Sequence, residues 1–240
     1  MDGHGCTDRA VCDLCVKGED PMSKISANVE QVDQWKSTMF LYNSALKSIN
    51  TKIDILNSEF LQLYHTTPIE HVTSRLKSPQ SIVKKLKKKN LEVNVDNMVE
   101  SINDIAGIRI ICSFMSDIYP IADMIAKQAD ITVLYVKDYI KNPKANGYKS
   151  YHMIVTIPVY LSDRKIETKV EIQIRTIAME FWASLEHKIA YKFEGHAPDH
   201  IEAELKACAD MVHMLDAKMY SLNQEITEYS DERTDNVEET

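Results

Sequence analysis

The chain has 240 residues, enough for one large domain with helical additions to bury a substantial core. With 44% hydrophobic and 27% charged residues, and no apolar run near the ~18 that a membrane span needs, it reads as a soluble globular protein rather than a membrane protein. A net charge of -8 argues against a general nucleic-acid coat, because such proteins neutralise backbone phosphates with an excess of Lys and Arg.

Residues 1–21 are glycine-rich and hold three of the five cysteines. They read as an unstructured leader or a remnant ahead of a natural start at Met22. The alternative is a zinc site, since Cys6, Cys12 and Cys15 with His4 supply four ligands and Cys-x-x-Cys is a common half of such a site. No basic region followed by an apolar stretch opens the chain, so a cytoplasmic location with reduced cysteines is expected.

From Ser26 to His65, Val29, Val32, Trp35, Met39, Tyr42, Leu46, Ile49, Ile53, Leu56, Phe60 and Leu63 recur at steps of three and four. This spacing predicts amphipathic helix, as two helices in succession. Thr67-Pro68 breaks the pattern, and Ser78-Pro79 opens another helix with Ser78 as N-cap and Pro79 in the first turn. That helix carries Lys84-Lys85-Leu86-Lys87-Lys88-Lys89, either a solvated face or a polyanion site.

Residues 107–114, 131–139, 150–161 and 166–175 are rich in Ile, Val, Thr and Tyr and predict strands, with a helix over 117–129. Two C-terminal helices follow, one through Met179, Trp182, Leu185, Ile189 and Tyr191, the other over 201–222. The order predicts an α+β fold, a mixed sheet flanked by helices within one domain over 22–225. The polar residues 226–240 read as a disordered acidic tail.

Four clusters attach polar groups to these elements. In Arg75-Leu-Lys77-Ser78-Pro79-Gln-Ser81 two cations precede a helix N-terminus, whose free amides and dipole favour an anion, although ordinary surfaces show the same. In Asp104-Ile-Ala-Gly107-Ile-Arg109 an acid enters a strand with an arginine five residues on, and Ala106 and Gly107 leave room for close backbone approach. An isolated Asp there is otherwise a turn former or cap. The loop from Lys141 to His152 offers three lysines and Tyr148 beside a glycine, suited to a stacked base and its phosphates, or simply a turn with exposed lysines.

The fourth cluster is Val170-Glu171-Ile172-Gln173-Ile174-Arg175. Its alternation sends the aliphatics to one face of a strand and Glu171, Gln173 and Arg175 to the other, as a phosphate-handling face or a solvated one. Carboxylates at Asp104 and Glu171 make a chelated Mg²⁺ plausible, and Glu171 alternatively accepts a proton from an attacking hydroxyl. His187, on an otherwise apolar helix, reads as a core-edge residue rather than a ligand.

The succession Arg-x-Lys-Ser-Pro, Asp-Ile-Ala-Gly-Ile-Arg, Asn-Gly-Tyr-Lys-Ser-Tyr-His and Glu-Ile-Gln-Ile-Arg-Thr resembles the bacterial small alarmone synthetases, the single-domain RelQ branch of the Rel/Spo homologues, from about Gln34 to Leu222. The resemblance implies a nucleotidyltransferase-like mixed sheet with N- and C-terminal helices, GTP pyrophosphokinase activity, Mg²⁺ dependence and a homotetramer. By resemblance Arg75 and Arg109 flank adenine, while Lys77, Ser81, Lys85 and Lys88 hold the ATP phosphates. Asp104 binds Mg²⁺, and Glu171 activates the 3′-hydroxyl of the acceptor and shares the metal. Tyr148 stacks on guanine, Lys144 and His152 meet the acceptor phosphates, Gln173 orients the nucleotide, and Arg175 is assigned to structure.

The chain also departs from that family. Asn50, Asp54 and Asn57 stand where product-activated members are expected to carry basic residues, and His71 follows Glu70 where an aromatic is expected, so product activation should be weak. Glu180 stands where a smaller Asn or Asp is expected. Single-stranded RNA is kept as a candidate regulator. No His-Asp dipeptide occurs, so the hydrolase of the larger relatives is not expected. The alternative is a noncatalytic nucleotide- or RNA-binding regulator with the same fold, which could dispense with both Asp104 and Glu171. A third reading, nucleoside monophosphate transfer, differs in releasing pyrophosphate instead of AMP. GTP, GDP and GMP all stay open as acceptors, because their terminal phosphates would meet flexible lysines.

Overall fold

A computed structural model describes residues 21–193 and 197–238. The leader and its zinc alternative at His4, Cys6, Cys12 and Cys15 lie outside the described residues.

The chain opens with α1 (Pro21–Tyr64), one continuous helix where the sequence suggested two. No Gly or Pro interrupts residues 22–64, and the helix ends where His65 adopts φ 55 ahead of Pro68. Tyr42, Ala45, Leu46, Ile49 and Ile53, at three- and four-residue steps, form its buried stripe.

Next comes β1 (Ile69–Leu76), which the sequence did not announce. Only Ile69 in it is fully buried, so an edge strand with one covered position lacks the alternation that reveals strands. Then α2 (Pro79–Lys88) starts as expected: the Ser78 side chain accepts from the Ser81 amide at 3.3 Å and Pro79 occupies the first turn. Ile82 and Leu86 are buried. A short α3 (Val95–Ser101), capped by Asn94, was also unforeseen.

The remaining elements are β2 (Ala106–Cys112), α4 (Met115–Ala126), β3 (Thr132–Asp138), β4 (Tyr151–Tyr160), β5 (Lys165–Thr176), α5 (Ile177–Lys192) and α6 (Asp199–Glu238). The five strands form one mixed sheet in the order β1-β2-β5-β4-β3, in which only β2 and β5 run parallel. The fold is α+β, as the order of elements predicted. Where a tail was expected from residue 226, α6 continues to Glu238, and no Gly or Pro breaks its sequence. No helix among the described residues is long and apolar enough to cross a membrane.

Side chains alternate across the central strands, and register shifts occur only between Ile69 and His71 of β1 and between Val133 and Tyr135 of β3 among the described pairs. Ile108 and Ile110 of β2, Met153, Val155 and Ile157 of β4, and Val170, Ile172 and Ile174 of β5 are at most 2% exposed and join Ile49 and Ile53 of α1 in one apolar cluster. A second, smaller cluster joins α5 to α6 through Trp182, Ala183 and Ala209, with Tyr148 and Val212 against it. The Trp182 indole donates to the Leu205 carbonyl at 2.9 Å.

Candidate active site

Strand register assembles the site. Arg75 pairs with Gly107, Gly107 with Glu171, and Glu171 with Ile154, while Thr73 pairs with Arg109, Arg109 with Gln173, Gln173 with His152, and His152 with Lys137. Directly paired residues share a face, so these two rows lay the polar groups of all five strands side by side opposite the apolar core. The alternation that buries Ile172 and Ile174 therefore presents Glu171 and Gln173.

Two cavities open on this face. The first, about 180 Å³, lies over β1, β2 and β5 and is lined by Arg75, Gly107, Arg109, Glu171 and Gln173 among others. The second, about 340 Å³, lies toward β3 and β4 and is lined by Lys85, Lys89, Asp104, Lys137, Lys144, His152 and Glu171 among others. Glu171 lines both.

Asp104 stands at the entrance to β2 between two ammonium groups. Lys77 Nζ donates to its Oδ2 and Lys85 Nζ to its Oδ1, each at 2.8 Å. Burial alone would push this carboxyl up, but the two lysines outweigh it and hold the group below its usual range. Lys89 Nζ, one turn beyond Lys85, donates to the Ser101 carbonyl at 2.7 Å.

Glu171 belongs to a closed ring of hydrogen bonds. His152 Nδ1 lies 3.3 Å from its Oε1, and Gln173 Nε2 donates to its Oε2 at 2.9 Å. His152 Nε2 lies 2.9 Å from the Tyr148 hydroxyl, which accepts from Arg175 Nη2 at 2.5 Å, and the same Nη2 donates to Gln173 Oε1 at 3.0 Å. Burial would raise the Glu171 carboxyl and the Asp104 charge adds to that, yet the hydrogen bonds from His152 and Gln173 bring it below its ordinary value. It is held ionised and oriented at neutral pH.

The loop between β3 and β4 crosses the end of this ring. Lys144 Nζ lies 4.5 Å from the Tyr148 ring centre and 4.9 Å from that of Tyr139, and the Arg175 guanidinium lies 5.1 Å from Tyr148. Tyr139 meets His152 edge-on at 5.2 Å. At the turn Gly147 adopts φ +86, a conformation that favours glycine.

Residues 74–196, which carry every group just described from Arg75 to Glu171, match the region found in RelA / SpoT proteins. The chain belongs to this family. It is 47% identical over 195 residues to the GTP pyrophosphokinase YwaC of Bacillus subtilis (strain 168), covering 81% of this chain and 93% of that one. Its fold is similar to the crystal structure of small alarmone synthetase 2 from Bacillus subtilis, with TM-score 0.73 and 46% identity over 80% of this chain and 98% of that one. It is likewise similar to small alarmone synthetase 1 from the same organism bound to its product pppGpp, with TM-score 0.74 and 34% identity over 80% of this chain and 98% of that one.

Of the RelA/SpoT positions expected from sequence, Arg75, Arg109, Gln173 and Glu171 meet at the smaller cavity, and Lys85, Asp104, Lys144, His152 and Glu171 at the larger. Lys77 reaches the same place through Asp104. Ser81 and Lys88 line neither cavity: the Ser81 hydroxyl accepts from that of the N-cap Ser78, and Lys88 is exposed near the C-terminal end of α2. Tyr148 also lines neither, since its ring packs toward Trp182 and carries Lys144 and Arg175 over its faces. Arg175, assigned to structure, is 5% exposed and directly holds the ring. His187 is exposed.

Sequence reasoning missed Lys89, Asn103, Tyr135, Lys137 and Tyr139 as cavity residues. The period-two run Tyr135, Lys137, Tyr139 was a usable signal, because it places all three on one side of β3 and its exit. Asn103 Nδ2 donates to the Tyr135 hydroxyl at 2.7 Å.

The chemistry of two carboxylates is of the kind that suits a magnesium ion. Two hard carboxylates, Asp104 and Glu171, line one cavity, and a bound ion would take the place of the lysine ammonium groups that now occupy both Asp104 oxygens. Mg²⁺ takes few protein ligands and completes its shell with water and phosphate oxygens.

Proposed function

We propose that this chain transfers the β,γ-pyrophosphate of ATP to the ribose 3′-hydroxyl of GTP or GDP, making pppGpp- or ppGpp-type alarmones. The observation that carries the reading is Glu171 on the wall between two cavities, one edged by arginines and the other by lysines. ATP occupies the smaller cavity with adenine against Arg75 and Arg109. Its phosphates extend toward Lys77 and Lys85 past Asp104, with Lys88 and Ser81 acting from the same helix as Lys85, outside the cavity lining. The acceptor lies toward β3 and β4, its phosphates met by Lys144 and His152, with Gln173 orienting it through its bond to Glu171, the residue shared by both cavities. Stacking of guanine on Tyr148 requires the ring face now shared with Lys144.

In the reaction the acceptor 3′-oxygen forms a bond to the ATP β-phosphorus while the bond from that phosphorus to the α,β-bridging oxygen breaks. AMP leaves, and the hydroxyl proton passes to Glu171. Positioning by the two cavities and neutralisation by the lysines account for most of the rate, as in phosphoryl transfer generally. Asp104 and Glu171 would hold Mg²⁺, which when bound supplies further charge neutralisation at the phosphates.

A cytoplasmic homotetramer completes the proposal. Exposed Met211, Met214, Leu215, Met219 and Leu222 on α6 supply an apolar face suited to subunit packing, so light scattering should give four times the 27.5 kDa chain mass.

The decisive experiment incubates the protein with ATP labelled at the γ-phosphate, Mg²⁺ and GTP, GDP or GMP in turn, and separates products by charge. Label on the guanine nucleotide with release of AMP is the expected result and ranks the acceptors. Release of pyrophosphate, or no transfer by a protein that binds both nucleotides, overturns the proposal.

A further inference from the structure

Glu180, in the first turn of α5, directs its carboxylate back over the sheet. Its Oε1 accepts from Arg109 Nη1 at 2.7 Å and from Ser184 Oγ at 2.8 Å, and its Oε2 accepts from Arg175 Nη1 at 2.7 Å. One carboxylate thus bonds two guanidiniums, one through each oxygen. Burial would raise this group, but the Ser184 hydroxyl and the two arginines bring it below its usual range.

The two arginines serve different places. Arg109 lines the smaller cavity together with Arg75, and its Nε is buried without a hydrogen-bond partner, so the bond to Glu180 is what fixes the plane of the group. Arg175 has a side chain only 6% exposed and anchors the ring of Tyr148, His152, Glu171 and Gln173. A buried guanidinium needs an anionic partner to offset its desolvation, and Glu180 is the carboxylate paired with both.

We infer that Glu180 is a positioning residue that ties the arginine of the ATP cavity to the arginine of the acceptor ring, so that a single carboxylate sets the geometry of both nucleotide sites. The inference rests on the nucleotide assignment proposed above. A Gln at this position keeps the size, but its amide oxygen serves one arginine while its NH₂ faces the other.

The test measures the Kd of a non-cleavable α,β-methylene ATP and, separately, of GTP for the wild type, Glu180→Gln and Ser184→Ala, alongside thermal melting. Glu180→Gln should weaken both Kd values about tenfold. Ser184→Ala removes one hydrogen bond to the same carboxylate but leaves both ion pairs, so its effect on each Kd should be clearly smaller than that of Glu180→Gln. Weakening at one site only, or at neither, overturns the inference, as does a fall in melting temperature with both affinities intact. Should Glu180→Gln not fold, Glu180→Asp keeps the charge but is one methylene too short to span both arginines. It should then weaken at least one site by a similar factor, and unchanged affinities for both would overturn the inference. A wild type that binds both nucleotides but transfers nothing refutes the proposed reaction while leaving this binding test valid.

Discussion

A Cβ placed on Gly147 would lie 2.5 Å from the Cβ of Ala209, so the loop carrying Lys144 and Tyr148 lies against α6 with no room for a methyl group. The glycine also holds φ +86, where an alanine costs about 1 kcal/mol before any clash is counted. Gly147→Ala should therefore lift the loop, raise the KM for the guanine nucleotide by roughly tenfold and leave the KM for ATP within about twofold. Steady-state kinetics with each substrate varied in turn checks this. An equal rise in both would place the loop in the ATP site instead.

Glu171 is the proton acceptor of the proposed reaction, so Glu171→Gln should lower kcat by about 10² to 10⁴. Gln keeps a hydrogen-bonding group between His152 and Gln173, and both nucleotides should bind with affinities within a few-fold of the wild type. Single-turnover rates with direct binding measurements separate the two effects.

Much of this site was legible because sheet periodicity is local. The run from Val170 to Arg175 alone fixes which side chains meet the core and which meet the cavities. Asp104 and Arg109 were likewise found by their place at a strand entrance and on its polar side. β1 escaped because it is an edge strand whose outer positions are exposed, although it supplies Arg75. The double pairing of Glu180 escaped because its partner Arg109 is 71 residues away and the contact depends on how α5 sits on β2. Tyr148 was recognised as an aromatic in a basic loop, but its packing toward Trp182 depends on the docking of α5 against α6, which no short motif records.

Asp216 of α6 is 5% exposed and accepts from the Thr176 hydroxyl at 2.8 Å. Burial pushes its carboxyl above the usual range, opposed by Thr176, His213 and Lys149. An acid raised on folding binds its proton more tightly in the native state, so this group stabilises the fold at low pH and that contribution is lost as pH rises from the unfolded value through the folded one. Asp216→Asn keeps an acceptor for Thr176 without the charge. Its melting temperature should exceed that of the wild type at pH 7, and the difference should shrink as pH falls toward 4. A variant less stable than the wild type at pH 7 would show that the attraction of His213 and Lys149 dominates.

At the β1 edge of the sheet, α1 packs against the strand. Asn50 Nδ2 donates to the Ser74 hydroxyl at 3.1 Å, Asn57 Oδ1 is buried without a partner, and Asp54 is exposed. The Glu70 carboxylate, beside exposed His71, accepts from the Ser113 hydroxyl. A tetra- or pentaphosphate seated here would meet the charges of Asp54 and Glu70, neither of which is ion-paired among the described residues, and their repulsion opposes binding where lysines or arginines would favour it. Added pppGpp or ppGpp should therefore change the initial rate by less than about twofold, because so little differential affinity supports no larger shift. Replacing Asn50 and Asp54 together with lysine should create measurable stimulation if charge alone is what this surface lacks. Several-fold activation of the wild type by its product would instead show that the effector is held by other residues.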